Sequence, residues 1–514
     1  MDLTNLDLSR PDFGLMVPQL IIFGLAIVLL FGDAFLPKRL HYTWLTAISL
    51  VGYLASMVAL YWQNDRNAST FHGLFRMDGL TVFLSVIILS AAVLSVMVSA
   101  SYVEHLEGRM PVGEFYLLLS FSVLGALLVS AAGDLVMIFI AIELSSLATY
   151  VLTAFAKRRA TSLEGALKYF LLGIFASAIL IYGMAWTYGL TGSTNLDEIA
   201  RHMQSVTTGT GSLEPSLLLA LLLLVVGLGF KIAAVPFHMW TPDAYDGAPT
   251  PVTAFMSVAP KAAGFAAIIR ILVQGLGPLR SDWINLIAVL AVLTMAFGNV
   301  VAISQRNIKR MLAYSSIAHT GYMLVGLAAY QANKGGFTAS GDTRSDLGIS
   351  SLLYYMLAYT FMNIGAFAIV TWLQHRGRGI TLDDFAGLAG SRPLAAGAMT
   401  IFMVSLMGVP PLLGFYAKYY VILAAIDAGK LWLGVVVVVM SALSAYYYLR
   451  VVAVMYFNPS EKKLRIVGTP LLNFSIIAMV VANLGLGLFS QRLVDLADKW
   501  SGALTVAQRI SGNG

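Results

Sequence analysis

Apolar stretches of helix length recur from one end of this chain to the other and leave few folds open. They run at about 15–36, 42–62, 78–102, 114–131, 134–156, 163–190, 213–236, 250–275, 283–304, 310–330, 349–374, 396–425, 430–457 and 470–491. A helix needs ~20 apolar residues to cross a bilayer. In lipid, only helices and closed barrels satisfy every backbone N–H and C=O. The stretches lack the period-2 alternation of barrel strands. The expected fold is therefore an all-α polytopic membrane protein with about 14 transmembrane helices. Composition agrees: 58% of the 514 residues are hydrophobic and 11% charged, against roughly 25% charged in soluble domains, which excludes a water-soluble fold.

Loop charge sets the expected orientation. The loops after odd-numbered spans hold Lys38, Arg39, Arg109, Lys157, Arg158, Arg159, Arg306, Lys309, Arg310, Arg376, Arg378, Arg392, Lys462, Lys463 and Arg465, more than the loops after even-numbered spans. Positive loops stay cytoplasmic, so with an even number of spans both termini are expected on the outer, periplasmic side. The polar start, 1–11, has neither a basic signal n-region nor an Arg/Ser-rich transit pattern, so no cleaved leader is expected.

Two spans do not read as plain helices. The seventh contains Gly227-Leu-Gly-Phe-Lys231-Ile-Ala-Ala-Val-Pro236, and the twelfth contains Gly408-Val-Pro-Pro-Leu-Leu-Gly414-Phe-Tyr-Ala-Lys418. Interrupted helices are tolerated at membrane depth only where protein or a wet cavity surrounds them. Two such spans, five apart and each with one lysine, are the pattern of an internal inverted repeat. Leu167-Lys-Tyr-Phe-Leu-Leu172 against Leu353-Tyr-Tyr-Met-Leu357 fits the same period. The expected division is 1–110 (helices 1–3), 111–280 (first five-helix repeat, spans 4–8), 281–460 (second repeat, spans 9–13) and 461–514 (helix 14 and tail).

Ionisable residues inside spans are the strongest functional signal, because each costs at least ~2.5–3.5 kcal/mol at the bilayer centre. Glu143 lies mid-way along the fifth span, Lys231 in the broken seventh, Lys261 inside the eighth and Lys418 just past the break in the twelfth. They could simply be buried pairs that fix packing, but three lysines and one glutamate do not neutralise one another. A lysine whose carboxylate partner approaches and withdraws is a proton gate. Moving one charge against ~200 mV costs ~4.6 kcal/mol, which is within reach of such a switch.

His238 follows the broken seventh span, and His319 lies within Ala313-Tyr-Ser-Ser-Ile-Ala-His-Thr-Gly321. Each reads either as a hydrogen-bonded packing residue or as a proton relay with the surrounding Ser, Thr and Tyr. His41, His72, His105, His202 and His375 fall in loops or at span ends. Glu164 and Lys168, one turn apart, read as a boundary ion pair or as a proton entry. Arg270 and Arg450 read as snorkelling side chains near span ends.

Cysteine is absent, which removes disulfides and thiolate ligation of zinc or iron–sulfur clusters. No Walker loop, HExxH or dinucleotide fingerprint is present. The net charge of +6 is thinly spread, so nucleic acid is not an expected partner.

The segment Lys231-Ile-Ala-Ala-Val-Pro-Phe-His-Met-Trp-Thr-Pro-Asp-Ala-Tyr-Asp-Gly-Ala-Pro-Thr-Pro-Val-Thr-Ala-Phe255 closely resembles the antiporter-like membrane subunits of respiratory complex I, the NADH–quinone oxidoreductase. Ser257-Val-Ala-Pro-Lys-Ala262, Leu312-Ala-Tyr-Ser-Ser-Ile-Ala-His-Thr-Gly-Tyr322 and Gly414-Phe-Tyr-Ala-Lys-Tyr-Tyr420 support the resemblance. It implies a fourteen-helix proton-translocating subunit of an NADH:quinone oxidoreductase in the bacterial plasma (inner) membrane, with no redox centre of its own. No cofactor is expected in this chain; FMN, iron–sulfur clusters and quinone are expected in partner subunits. The implied partners are other membrane-arm subunits, among them neighbouring antiporter-like ones, the peripheral NADH-oxidising arm and the bilayer.

The resemblance also implies roles. The fifth-helix carboxylate falls on Glu143, the seventh-helix lysine on Lys231, the central eighth-helix lysine on Lys261 and the twelfth-helix exit residue on Lys418. His238 and His319 fall on the central hydrophilic axis. Two other readings compete: a subunit of a multisubunit Na⁺/H⁺ antiporter of the same fold, and a structural spacer whose buried charges transport nothing. The Trp240-Thr-Pro-Asp-Ala-Tyr stretch favours the complex I reading over the antiporter.

Overall fold

The computed structural model of the chain describes residues 11–35, 41–64, 66–106, 112–210, 215–331, 336–337, 343–344, 347–376, 379–459 and 470–511. The start of the chain, 1–10, and the basic loop residues Lys38, Arg39, Arg109, Arg378, Lys462, Lys463 and Arg465 lie outside the described residues.

The helices follow the apolar stretches. They are α1 (Val17–Phe35), α2 (His41–Tyr61), α3 (Gly79–Leu106), α4 (Val112–Ser130), α5 (Leu135–Thr153), α6 (Ala160–Thr191), α7 (Leu196–Thr210), α8 (Pro215–Lys231), α9 (Thr241–Gly247), α10 (Thr250–Met256) and α11 (Ala259–Ile268). After a π-helical turn at Ile269–Gly275 come α12 (Arg280–Ser304), α13 (Ile308–Ala328), α14 (Leu347–His375), α15 (Leu388–Ser391), α16 (Pro393–Met407), α17 (Leu413–Asp427), α18 (Leu431–Phe457), α19 (Pro470–Leu488) and α20 (Ser490–Ser511). Among the described residues, eleven segments are long and apolar enough to cross a membrane, and α8 and α16 are shorter apolar helices. The chain is thus an all-α, multi-pass membrane protein.

Burial sorts these helices into an inside and an outside. The windows of α3, α14 and the 250–275 segment are almost wholly buried, whereas α1, α2, α18 and α19 keep broad apolar faces outward, with Val51, Phe31 and Phe474 exposed. Such all-round apolarity suits lipid on one side and helices on the other. α7 and α20 differ from these: both are polar overall, and α7 carries Asp197 and Glu198 in its first turn.

Two tight helix crossings matter for the site. A Cβ on Gly183 or Gly227 would collide with the facing helix of the α6–α8 pair, and one on Gly298 or Gly321 would collide with backbone in the α12–α13 pair. Small residues at these points let the helices approach to backbone contact.

The seventh and twelfth spans are broken, as expected. α8 stops at Lys231, and the chain turns through 232–240, with a cis bond at Val235–Pro236, before α9 begins. The backbone groups freed there find partners: the Val235 N–H donates to Thr294 Oγ1 (3.0 Å), Thr320 Oγ1 donates to the Ile232 carbonyl (3.0 Å), and Trp240 Nε1 donates to the Phe230 carbonyl (3.1 Å). Satisfied polar groups make a break tolerable inside protein. The second break separates α16 from α17 and includes a cis bond at Pro410–Pro411.

Two expectations are corrected. The eighth span is not a plain helix: it divides at Ser257 and Val258, then widens into the π turn. Pro260 lies in the first turn of α11, where its missing N–H is harmless, but it cannot continue a helix from α10. Arg270 does not snorkel. It is fully buried, and its guanidinium grips Asp78 at the start of α3. Arg450 behaves as a span-end residue, donating to the carbonyls of Ile303, in the last turn of α12, and of Gln305, its C-cap, which favour a cation.

Candidate functional site

The first cluster forms where α8 ends. Glu143 sits midway along α5, whose start is fixed by Asp134 accepting from the Val136 N–H at 2.7 Å. Lys231 Nζ lies 2.8 Å from Glu143 Oε1 and donates also to Ser146 Oγ (3.1 Å) and Ser177 Oγ (3.2 Å). Ser177, on α6, donates to the same carboxylate oxygen at 2.6 Å. The close α6–α8 crossing brings Ser177 within reach. The lysine side chain is 6% exposed and the glutamate 21%, so the pair is buried on the lysine side and open on the other.

The second cluster hangs on α13. Asn307 caps this helix, accepting from the Lys309 and Arg310 N–H groups. Lys261 Nζ, buried, donates to the Ser316 carbonyl (2.9 Å), Ser316 Oγ (2.5 Å) and Thr320 Oγ1 (3.0 Å). No carboxylate faces it in these contacts. Thr320 also donates to the carbonyl of Ile232, the residue after Lys231, and so ties Lys261 to the backbone of the first break. One turn away, His319 Nδ1 lies 2.6 Å from Tyr355 Oη and Nε2 lies 3.0 Å from Tyr448 Oη, which in turn meets Ser315 Oγ at 2.5 Å.

The third site is at the second break. Lys418 Nζ donates to the Met407 carbonyl (2.8 Å), the last residue of α16, and lies 4.9 Å from the centre of the Tyr322 ring. A helix C-terminal carbonyl and an aromatic face each attract a cation through partial charges. Lys261, His319 and Lys418 thus meet residues of α13 or lie on it, while Glu143 and Lys231 pair between α5 and the end of α8. His238 stands somewhat apart at the bend before α9. Its ring packs against Phe297 at 4.4 Å, and among the described residues its Nδ1 has no hydrogen-bond partner.

Other ionised groups gather away from these. The expected Glu164–Lys168 pair forms at 2.7 Å, and Lys168 also reaches Asp243 at 2.8 Å. Arg310 closes on the other Asp243 oxygen at 2.7 Å, and Lys309 donates to the Asp246 and Ala248 carbonyls. Residue-level patterning gave Asp243 no weight. Its only clue is the Pro-Asp-x-Tyr-Asp run after a broken span. Asp78 and Tyr448 were also missed, since nothing local marks either one. Among the described residues, no group of three or more His, Cys, Asp or Glu could hold a metal ion.

Comparison with known proteins identifies the family. The family described as NADH:quinone oxidoreductase/Mrp antiporter, TM, matches residues 132–444, which contain every residue of the three clusters except Tyr448. A relative named NADH-quinone oxidoreductase subunit N, from Trichlorobacter lovleyi, is 44% identical over 88% of this chain and 89% of its own. Among solved structures, a chain of respiratory complex I from Thermus thermophilus superposes with a TM-score of 0.75 at 32% identity, covering 93% of this chain and 98% of that one. A chain of the Mrp complex from Dietzia sp. reaches a TM-score of 0.82 at 22% identity, covering 97% and 98%, and shares the fold. On these matches the chain belongs to the NADH:quinone oxidoreductase/Mrp antiporter family of membrane proteins, alongside relatives named NADH-quinone oxidoreductase subunit N.

Proposed function

We propose that this chain is a proton-translocating membrane subunit of a type I NADH–quinone oxidoreductase, coupling electron transfer in other subunits to proton movement through its own buried axis. The observation that carries the reading is the Lys231–Glu143 pair at a helix break, with Lys261 held by Thr320, whose hydroxyl also donates to the carbonyl of Ile232, the residue after Lys231. While Glu143 is close, it compensates the charge on Lys231. When the pair separates, Lys231 holds a charge in a nearly dry site, and its proton passes to the next acceptor. Lys261 is that acceptor, held by neutral hydroxyls and a carbonyl that tolerate either protonation state. His319 and Lys418 continue the path toward the exit, and His238 serves the same axis from the bend.

The reading extends to architecture. Two broken helices, each with one lysine at its break, support inverted repeats over spans 4–8 and 9–13 of a fourteen-span fold, with divisions at 1–110, 111–280, 281–460 and 461–514. Both termini face the periplasm of a bacterial inner membrane. The partners are the other membrane-arm subunits, including neighbouring antiporter-like ones, and the peripheral arm that oxidises NADH. FMN, iron–sulfur clusters and quinone reside in those partners. The Mrp likeness at 22% identity reaches the fold alone, whereas the subunit N relative at 44% supports the redox-coupled reading.

The test is Lys231→Ala and Lys261→Ala in the assembled complex. NADH-driven acidification of inverted vesicles should be largely lost. Normal pumping with full assembly would make the chain a spacer instead.

A further inference from the structure

The short helix α9, which resumes the chain after the first break, is pinned on two sides by charge. Asp243, in its first turn, accepts from Lys168 of α6 on Oδ2 at 2.8 Å and from Arg310 of α13 on Oδ1 at 2.7 Å. Glu164 meets the same lysine at 2.7 Å, and Asp246 lies 3.8 Å from the same guanidinium. At the other end of α9, Asn307 Nδ2 donates to Asp246 Oδ1 at 2.8 Å, and Lys309 Nζ donates to the Asp246 and Ala248 carbonyls at 2.8 and 2.6 Å. α6 approaches α9 to backbone contact, since a Cβ on Gly165 would collide with the Asp243 carbonyl and one on Gly247 with the Thr161 carbonyl.

This clamp reaches the first cluster through adjacent residues. Tyr169, next to Lys168, stacks on Trp240 with ring centres 4.1 Å apart and planes 11° apart. Trp240 Nε1 donates to the Phe230 carbonyl at 3.1 Å, in the last turn of α8, where carbonyls look beyond the helix for donors. Phe230 immediately precedes Lys231. The side chains of the clamp are partly open to water, 28% for Asp243 and 32% for Arg310. Its carboxylate can therefore be neutralised without stranding a charge in a dry site.

We propose that Asp243 is a positioning residue for the Lys231–Glu143 pair: clamped between Lys168 and Arg310, it fixes α9 and, through Trp240, the end of α8 from which Lys231 reaches Glu143. This inference rests on the proposed reading that the pair gates proton movement, and it names the contact that sets the gate from outside. A clamp that only held the fold together would act independently of Glu143.

Asp243→Asn tests it, because the amide keeps the shape and one acceptor oxygen but loses the charge that holds two cations. NADH-driven pumping by the assembled complex in inverted vesicles should fall severalfold. Trp240→Phe keeps a ring on Tyr169, loses the N–H donor to Phe230 and should lower pumping to a similar degree. The deciding readout is a double variant. Changes that act through one shared element are not additive, so adding Asp243→Asn to Glu143→Gln should leave the residual pumping of Glu143→Gln unchanged.

The inference is overturned if Asp243→Asn or an assembled Trp240→Phe complex pumps at the parental rate. It is also overturned if Asp243→Asn lowers the pumping of Glu143→Gln by the same factor as that of the parent, which would make the clamp merely structural. Should Asp243→Asn not assemble, Lys168→Gln, which removes one arm of the clamp at a side chain 45% exposed, is put through the same two comparisons and decides in its place. Normal pumping by Lys231→Ala is a separate result: it removes the reading of the pair as a gate, and this inference with it, whatever Asp243→Asn does.

Discussion

Two buried ion pairs in this chain are built differently. Arg270 and Asp78 meet through two parallel contacts of 2.6 and 2.8 Å, and the guanidinium is completed by Gln274, Thr81 and the Ser130 carbonyl. Lys231 and Glu143 meet through a single 2.8 Å contact, shared with two serine hydroxyls, beside a helix break and with the glutamate partly exposed. The first geometry holds planar partners in one orientation. The second leaves a flexible ammonium with neutral partners already in place when the carboxylate withdraws. Burial alone therefore does not mark a functional charge. What distinguishes the two is whether the pair can open without stranding a polar group.

The largest difference should come from removing one partner of each pair. Asp78→Ala leaves Arg270 charged and unpaired, and breaking such a buried pair costs about 3–5 kcal/mol. The expected outcome is a sharp fall in assembled complex, read by native gel. Lys231→Ala should leave assembly nearly unchanged and abolish most pumping. If Lys231→Ala reduced assembly as much as Asp78→Ala, the two pairs would be alike and the comparison would fail.

An intermediate effect is expected from Glu143→Gln. Pumping should drop severalfold while the complex still assembles, because Gln keeps the acceptor for Ser177 and loses only the charge. Lys418→Met should also lower pumping with assembly kept, since Met407 gives up a hydrogen bond on a carbonyl that still ends a helix. Full activity in Lys418→Met would remove that lysine from the path. The smallest effect belongs to Ser177→Ala. It deletes one hydrogen bond to Glu143, worth about 0.5–1.5 kcal/mol, and should alter the pumping rate modestly without changing complex yield. A Ser177→Ala complex as inactive as Lys231→Ala would show that the hydroxyl carries the proton and does not merely position the carboxylate.

Much of the site was legible in the sequence, because charge in an apolar run is conspicuous. Glu143, Lys231, Lys261 and Lys418 stand out as isolated exceptions, and the Gly and Pro around Lys231 and Lys418 announced the two breaks. The Ser and Thr near His319 were visible as relay candidates, and Ser316 and Thr320 prove to be the ligands of Lys261. The third break was not read, because Pro260 opens a helix as readily as it ends one. Arg270 was misjudged because its place near a span end suggested snorkelling, whereas the π turn at Ile269–Gly275 carries it inward to Asp78, 192 residues away.

The sequence by itself determined the class of fold, the two broken spans and the family. Those properties follow from hydropathy and local motif, each read within one stretch of chain. Which charges pair, and that Lys261 and Lys418 meet neutral partners among the described residues, were decided only by the tertiary structure. Glu143 meets Lys231 across 88 residues, and Tyr447 meets Asn299 across 148. In helices apolar on every side, no local pattern says which face turns inward, so these partners are set by how small residues let particular helices touch.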